Sequence, residues 1–336
     1  MAETRGRPKT SGTTAKDIAR RIFHHENTVL AIVLIALTGI LSFTTGGLLT
    51  TSRNLINILF QSAVRGVASV GQAFVILSGG IDLSVAGIGL LSAILGGTMM
   101  TSIEKLNIVG HPVSIYVALP VMIIAAAAVG AANGSLVAQI GMPSLIVTLG
   151  MWQILKGVSF MISGGYQVCE LPEALAFYGQ GHVAGVPVPV IVLIAVFAIA
   201  YFILYYTSFG RSIYAVGGNL VSSWLSGINV KMIQTMAFTI SGLLAGVAGV
   251  IITARCMSAQ MITLEGLELD SIASVVIGGV SLVGGRGNII GVLIGVMIIG
   301  VINNGMSIMG APPSLQGVAK GAIIIAAVAI DYLRRR

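Results

Sequence analysis

Charge is what this sequence has least of. Of its 336 residues only 9% are Asp, Glu, Lys or Arg, where a water-soluble domain uses about 25% to solvate its surface. That shortage excludes a soluble globular fold, and it equally excludes intrinsic disorder, which needs few apolar and many charged residues. Cysteine is almost missing: Cys169 and Cys256 show neither metal-ligand spacing nor a disulfide framework. The histidines, His24, His25, His111 and His182, lie outside the long apolar runs and point to no zinc or haem site. Hydrolytic signatures are absent too, with no G-x-x-x-x-G-K-[ST] phosphate loop, no H-E-x-x-H pair and no G-x-S-x-G elbow. We therefore assign no catalytic residue, no metal and no cofactor to this chain. If ATP drives it, a separate subunit hydrolyses that ATP.

What the sequence has in quantity is apolar surface and glycine: 56% hydrophobic residues and 44 glycines. Glycine in an apolar chain lets helix backbones approach within a bilayer. Stretches without charge long enough for a helical span, about 20 residues, occur at 27–52, 106–155, 174–210 and 232–254. Apolar density and breakers predict an all-α integral membrane protein of about ten spans. They fall near 29–49, 55–77, 83–100, 117–140, 144–162, 189–206, 232–254, 267–282, 289–308 and 315–330. The eighth is short and begins among acids. Together they make one transmembrane domain over 29–333, preceded by a basic tail over 1–28 and interrupted by a polar loop over 208–231. Some spans are broken by glycine.

Ten spans place both termini on one side, with 12 of the 18 basic residues: Arg5, Arg7, Lys9, Lys16, Arg20, Arg21, Arg211, Lys231, Arg286, Arg334, Arg335 and Arg336. The opposite loops hold Arg53, Lys105 and Arg255, so the positive-inside rule makes both termini cytoplasmic. The net charge of +7 is accounted for by topology, and no nucleic-acid partner is expected. Membrane lipid is. Acids gather at the outer loops: Glu104, Glu170, Glu173, Glu265, Glu268 and Asp270.

Three glycine-rich interruptions, at Gly79-Gly80, Gly217-Gly218 and in the five-glycine stretch 278–287, read either as tight turns or as broken helices beside a transport path. Asp82 reads more readily as a cap on the helix that follows than as a path residue, since Asp accepts from orphan helical N–H groups. Arg65 lies about 15 Å into its helix, a depth that demands a partner or a water-filled cavity. Lys156 and Lys320 pose the same question and favour pairing or snorkelling. Asn219 is placed to cap a short helix over 220–226 that Gly227 can end. Its Leu220, Val221, Trp224 and Leu225 share one face, fit either for the bilayer surface or for a partner's groove.

The motifs in order carry a resemblance. Gln61-Ser62-Ala63-Val64-Arg65-Gly66, Gly79-Gly80-Ile81-Asp82-Leu83-Ser84 and Pro143-Ser144-Leu145-Ile146-Val147-Thr148-Leu149-Gly150 come first. Phe209-Gly210-Arg211, Gly217-Gly218-Asn219, Leu225-Ser226-Gly227-Ile228-Asn229-Val230, Glu268-Leu269-Asp270-Ser271-Ile272-Ala273 and Lys320-Gly321-Ala322-Ile323-Ile324-Ile325 follow. The chain resembles the permease subunits of bacterial ABC sugar importers of the ribose/galactose/xylose type. That resemblance implies a multi-pass protein of the bacterial cytoplasmic (inner) membrane, paired with a second copy or a paralogue. It also implies a cytoplasmic ATP-binding subunit that uses ATP and Mg, and a periplasmic or lipid-anchored substrate-binding protein. The coupling contact to the ATPase would be made by Phe209, Gly210, Arg211, Gly217, Gly218, Asn219, Trp224, Ser226 and Gly227. Here Ser222-Ser223-Trp224 departs from the usual Ala-Ala-Arg, and Trp224 offers apolar contact in place of a charge. The cargo would be a sugar or a sugar-like polyol, whose hydroxyls need neutral partners. Asn57, Gln61, Arg65, Asp82 and Asn303 are the candidates for the path or its gate. Arg255, Glu265, Glu268 and Asp270 are the candidates for binding-protein docking or an outer gate. An ion-gradient-driven secondary transporter of a small polar solute is the alternative, and it would need acids within the spans.

Overall fold

The computed structural model describes residues 26–334, which are helical almost throughout. The basic tail expected over 1–28 lies outside the described residues except for its last three. In chain order the helices are α1 (Glu26–Thr44), α2 (Ser52–Leu77), α3 (Val85–Met100), α4 (Ile115–Ala138), α5 (Ser144–Ser163) and the short α6 (Ala176–Gln180). Then come α7 (Val188–Tyr206), α8 (Ser208–Gly218), α9 (Leu220–Leu225), α10 (Val230–Cys256), α11 (Leu267–Ile277), α12 (Ile289–Ile308) and α13 (Pro313–Arg334). Among the described residues, α1, α2, α4, α5, α7, α10 and α12 are long and apolar enough to cross a membrane. Their outward side chains are large hydrocarbons, with Phe43 89% and Met161 82% exposed. Such a surface is unfavourable in water and matched by acyl chains.

One expected span is helical over only part of its length. The segment 267–282 is helical only over Leu267–Ile277, about 16 Å of helix against a hydrocarbon thickness of about 30 Å. Mean apolarity runs on past Ile277, but the backbone does not: Gly279 turns into the left-handed region at φ 85°, where a side chain would be strained.

The connections fall at two ends. One end gathers 78–84, 139–143, 207–229 and 278–288, tied by Gly285 N–H to the Leu77 carbonyl at 3.0 Å, Tyr214 Oη to the Gly287 carbonyl at 3.1 Å and Lys231 Nζ to the Gln139 carbonyl at 3.4 Å. The other gathers 101–114, 164–187 and 257–266. There Val168 and Ala259 exchange two backbone hydrogen bonds of 2.9 Å. A hairpin of β1 (His182–Val183) and β2 (Val186–Pro187) turns through Ala184 and Gly185, both at positive φ. This second end is a lid of loops over Met100, Met122, Val168, Leu175 and Ala254.

The centre is α2, whose residues from Ser62 to Leu77 are all buried except Arg65. Against it lies α10, which in turn crosses α4 with almost no side chain between them. Gly130 on α4 meets Gly242 on α10, while Gly134 lies against Thr235 of α10 and Gly246 against Ala126 of α4, a small-xxx-small pair on each helix. A Cβ on Gly242 would stand 2.8 Å from the Gly130 Cα, and one on Gly134 2.7 Å from the Thr235 Cα. Dispersion between bare backbones and lines of methyl groups holds the pair, because hydrocarbon supplies no hydrophobic drive between helices.

Candidate functional site

The first and last of the glycine-rich interruptions, at Gly79-Gly80 and in the stretch 278–287, are the same device. At the end of α2, Gly79 N–H donates to the Ile76 carbonyl at 2.9 Å and Gly80 N–H to the Val75 carbonyl at 3.0 Å. At the end of α11, Gly279 N–H donates to the Val276 carbonyl at 2.9 Å and Val280 N–H to the Val275 carbonyl at 3.2 Å. Both are Schellman turns on a left-handed glycine, with φ 88° at Gly79 and 85° at Gly279. The remaining interruption, Gly217-Gly218 at the end of α8, lies against both turn regions. A Cβ on Gly217 would overlap the Leu77 carbonyl and stand 2.5 Å from the Gly285 nitrogen. One on Gly284 would stand 2.9 Å from the Gly79 Cα, and one on Gly285 2.5 Å from the Gly218 Cα. Three segments far apart in sequence thus meet as bare backbone.

From this junction α8 leads to the loop 208–231. The Thr207 hydroxyl caps α8 by accepting from Gly210 N–H at 3.2 Å, and Gly210 is buried so tightly that a Cβ would overlap the Leu204 carbonyl. Phe209 stacks on Phe74 of α2 with ring centroids 6.5 Å apart, while Arg211 is exposed. The Asn219 side chain accepts from Ser222 N–H at 2.9 Å and starts α9. Ser226 Oγ returns to the Ser222 carbonyl, and Gly227 ends the helix at φ 83°. Ser223 faces the protein, whereas Leu220, Val221, Trp224 and Leu225 are all exposed, Leu225 to 72%. The result is a short, capped helix whose four apolar side chains stand exposed among the described residues.

A second constellation lies in the outer half of the helices. Asn57, Gln61 and Arg65 recur at i, i+4 and i+8 and form one polar face of α2. Asn57 is exposed, Gln61 half-buried, and Arg65 reaches a partner. Its Nε is 3.0 Å from Asp270 Oδ2, Lys320 Nζ is 2.9 Å from Asp270 Oδ1, and Asn303 Nδ2 donates to Oδ2 at 3.3 Å. Asp270 therefore joins α2, α11, α12 and α13 through one carboxylate. Sequence reasoning put Asp270 among the outer-loop acids and candidates for docking. It is 5% exposed and fully engaged, so it offers nothing to an approaching protein. The other three docking candidates are nearer the surface. Arg255 lies over the Phe60 ring at 4.4 Å. Glu265 is exposed and pairs with Lys156 at 3.4 Å. Glu268 is half-buried in the first turn of α11.

Asp82 is sealed away from both constellations. Its Oδ1 accepts from Ser84 N–H at 2.9 Å and from the Ser84 hydroxyl, and its Oδ2 from the Ser241 hydroxyl at 2.8 Å. The Gln72 amide pairs with its backbone, donating to its carbonyl at 2.9 Å and accepting from its N–H at 3.2 Å. Asn133 Nδ2 donates to Ser84 Oγ at 2.8 Å and closes the network. Asp82 stands three residues before α3, whose N-cap is Ser84, and it accepts from Ser84 N–H and not from an N–H of the helix, so it orders the turn into α3 and is not the cap that the sequence suggests; with no exposed surface it lines no path in this conformation. The residues that sequence reasoning did not single out are Ser241, Asn133, Phe74 and Tyr214. Each acts on a segment remote in sequence, and none carries a local motif. Among the described residues no three His, Cys, Asp or Glu side chains come together.

Comparison with known proteins was decisive on family. The family model described as "Branched-chain amino acid transport system / permease component" matches residues 54–328. The ribose import permease protein RbsC of Escherichia coli (strain K12) is 40% identical over 287 residues, 84% of this chain and 85% of that protein. The D-allose transport system permease protein AlsC of the same organism is 40% identical over 284 residues, 84% of each chain. The L-arabinose ABC transporter permease protein AraH of Azospirillum brasilense is 35% identical over 306 residues, 91% of this chain and 87% of that one. No solved structure matches. With the apolar helices, the glycine-broken α2 and α11 and a family match over most of its length, the chain belongs to the branched-chain amino acid transport system / permease component family and is an all-α, multi-pass membrane permease of the ABC-importer kind.

Proposed function

We propose that this permease carries a sugar or a sugar-like polyol into the cytoplasm across the bacterial inner membrane, powered by ATP and Mg bound on a separate cytoplasmic subunit. The observation that carries the coupling half of this reading is α9. A capped helix with Trp224 68% and Leu225 72% exposed, at the end that also holds Arg211, Lys231 and Arg286, is fit to seat in a groove of an ATP-binding subunit. The basic residues at that end make it the cytoplasmic one. The cargo class follows the relatives, whose names specify ribose, D-allose and L-arabinose. A neutral polyol also suits the α2 face of Asn57 and Gln61, whose amides both donate and accept hydrogen bonds, with Arg53 one turn away at the start of the helix. A second permease copy or a paralogue would enclose that polar face, and a substrate-binding protein would deliver the cargo at the loop-covered end, where Glu265 and Arg255 are reachable.

The test is reconstitution with the cognate ATP-binding subunit and binding protein. Uptake of labelled ribose, D-allose or L-arabinose into proteoliposomes should require ATP on the cytoplasmic side and survive ionophores. Uptake abolished by ionophores with ATP present would favour an ion-gradient-driven transporter. The coupling assignment has its own check. Trp224→Glu with Leu225→Glu puts two charges on the docking face without touching the core, so the protein should extract and elute like the natural chain. Recovery of the ATP-binding subunit by affinity purification should fall at least tenfold, about 1.4 kcal/mol or more of lost binding. Undiminished recovery would remove α9 from the interface.

A further inference from the structure

The three touching glycine segments pose a mechanical question that the coupling helix alone does not answer: where its displacement goes next. We propose that the backbone junction of Gly217, Gly285 and the α2 and α11 turns is the transmission contact of the transporter. Through it α8 moves the ends of α2 and α11 together. The inference rests on the importer reading above and extends it from the docking helix to the parts that move.

Four observations support it. First, α9 is joined to α8 through the single residue Asn219, whose side chain caps α9 while its N–H donates to the Ala215 carbonyl of α8 at 3.0 Å. A push on α9 is therefore carried into α8 without a flexible linker. Second, α8 meets α2 in two places, through the Phe209–Phe74 stack at 6.5 Å and through Gly217 against the Leu77 carbonyl, with no room for a methyl group. Third, α8 holds the loop after α11 by Tyr214 Oη to the Gly287 carbonyl at 3.1 Å, and that loop is tied to α2 by Gly285 N–H to the Leu77 carbonyl at 3.0 Å. Fourth, the two turns so joined are equivalent Schellman turns, 200 positions apart (279 − 79). Each closes its helix at the same loop end of the molecule, and each is followed by a further helix, α3 or α12, that starts from that end. Contact between backbones leaves no rotamer to absorb a displacement, and packed interfaces shift between discrete arrangements and do not deform continuously.

Gly217 and Gly285 are on this reading positioning residues, and the quantity that isolates their role is the ratio of ATP hydrolysed to solute carried by the reconstituted complex. Gly217→Ala places a methyl group in the contact. We expect the variant to capture the ATP-binding subunit as the natural chain does, and to hydrolyse at least five times more ATP per solute transported. Gly157→Ala on α5, whose added methyl meets nothing within 4 Å, should leave the ratio unchanged. If Gly217→Ala fails to assemble, Tyr214→Phe decides the matter, since it removes only the hydroxyl that reaches Gly287. It should at least double the ratio. An assembled Gly217→Ala complex with the natural ratio, an equal change in Gly157→Ala, or an unchanged ratio in Tyr214→Phe would each overturn the proposal. A natural chain that captures no ATP-binding subunit would instead overturn the importer reading beneath it.

Discussion

The Asp270→Asn permease is expected to lose about 3–5 kcal/mol of stability, the usual consequence of removing one partner from a buried ion network. The shape of the side chain survives, but its charge does not. Arg65 and Lys320, with side chains 18% and 26% exposed, are then left facing each other in the low-dielectric interior. The natural cluster of two cations and one carboxylate carries a net charge of +1; the variant carries +2. Neither cation can easily reach water from the middle of a helix, so both the repulsion and the desolvation remain uncompensated. Thermal unfolding in mild detergent should show a clearly lowered midpoint, with reduced yield from the membrane. Lys320→Met separates the contributions, because it leaves the Arg65–Asp270 pair matched and should cost about 1 kcal/mol or less. Adding Lys320→Met to Asp270→Asn removes one of the two opposed cations and should recover part of the loss. A coupling of 0.5–3 kcal/mol between the two sites is the range for residues in one network. A midpoint for Asp270→Asn equal to that of the natural chain would show that the cluster holds nothing together.

Gly242→Val should prevent folding of the transmembrane domain altogether. The new Cβ would stand 2.8 Å from the Gly130 Cα and overlap the Ala126 carbonyl. These are backbone atoms that no rotamer change can move. Overpacking in a core that can relax costs about 1–3 kcal/mol. Here relaxation means moving α4 away from α10 along their whole crossing, which also opens the Gly130, Gly134 and Gly246 contacts. We expect little or no monodisperse protein after detergent extraction. Gly150→Ala is the matching control: its Cβ meets nothing within 4 Å, and Ala in a helix is favoured over Gly by about 1 kcal/mol. A Gly242→Val chain that extracts and elutes like the natural one would mean that the α4–α10 crossing is not close-packed.

Much of the coupling loop was legible in the sequence because its determinants are local. The side-chain cap at Asn219, the stop at Gly227 and the apolar face of Leu220, Val221, Trp224 and Leu225 all act within a few residues of one another. Helical geometry converts that spacing directly into structure. The same holds for the end of α2, where Gly79-Gly80 marks the turn. Arg65 showed the limit of such reasoning: its depth announced that a partner must exist, yet the partner, Asp270, is 205 residues away. The eighth span is helical over only part of its expected length for a related reason. Hydropathy sums side chains and is blind to backbone continuity, so Gly278 and Gly279 did not weigh against an apolar run that continues to Leu282.

The sequence by itself determined the environment, the class and the local joints of this permease. A chain with 9% charged residues and 44 glycines can bury its backbone only as close-packed helices in a bilayer, and caps and turn glycines act on their immediate neighbours. Only the tertiary structure decided which glycines meet and which charges pair. It set Gly217 against Leu77 and Gly285, drew Asp270 inward to Arg65 and Lys320, and closed hydroxyls and amides over Asp82. Those choices depend on packing among segments up to some 200 residues apart, where periodicity along the chain carries no information.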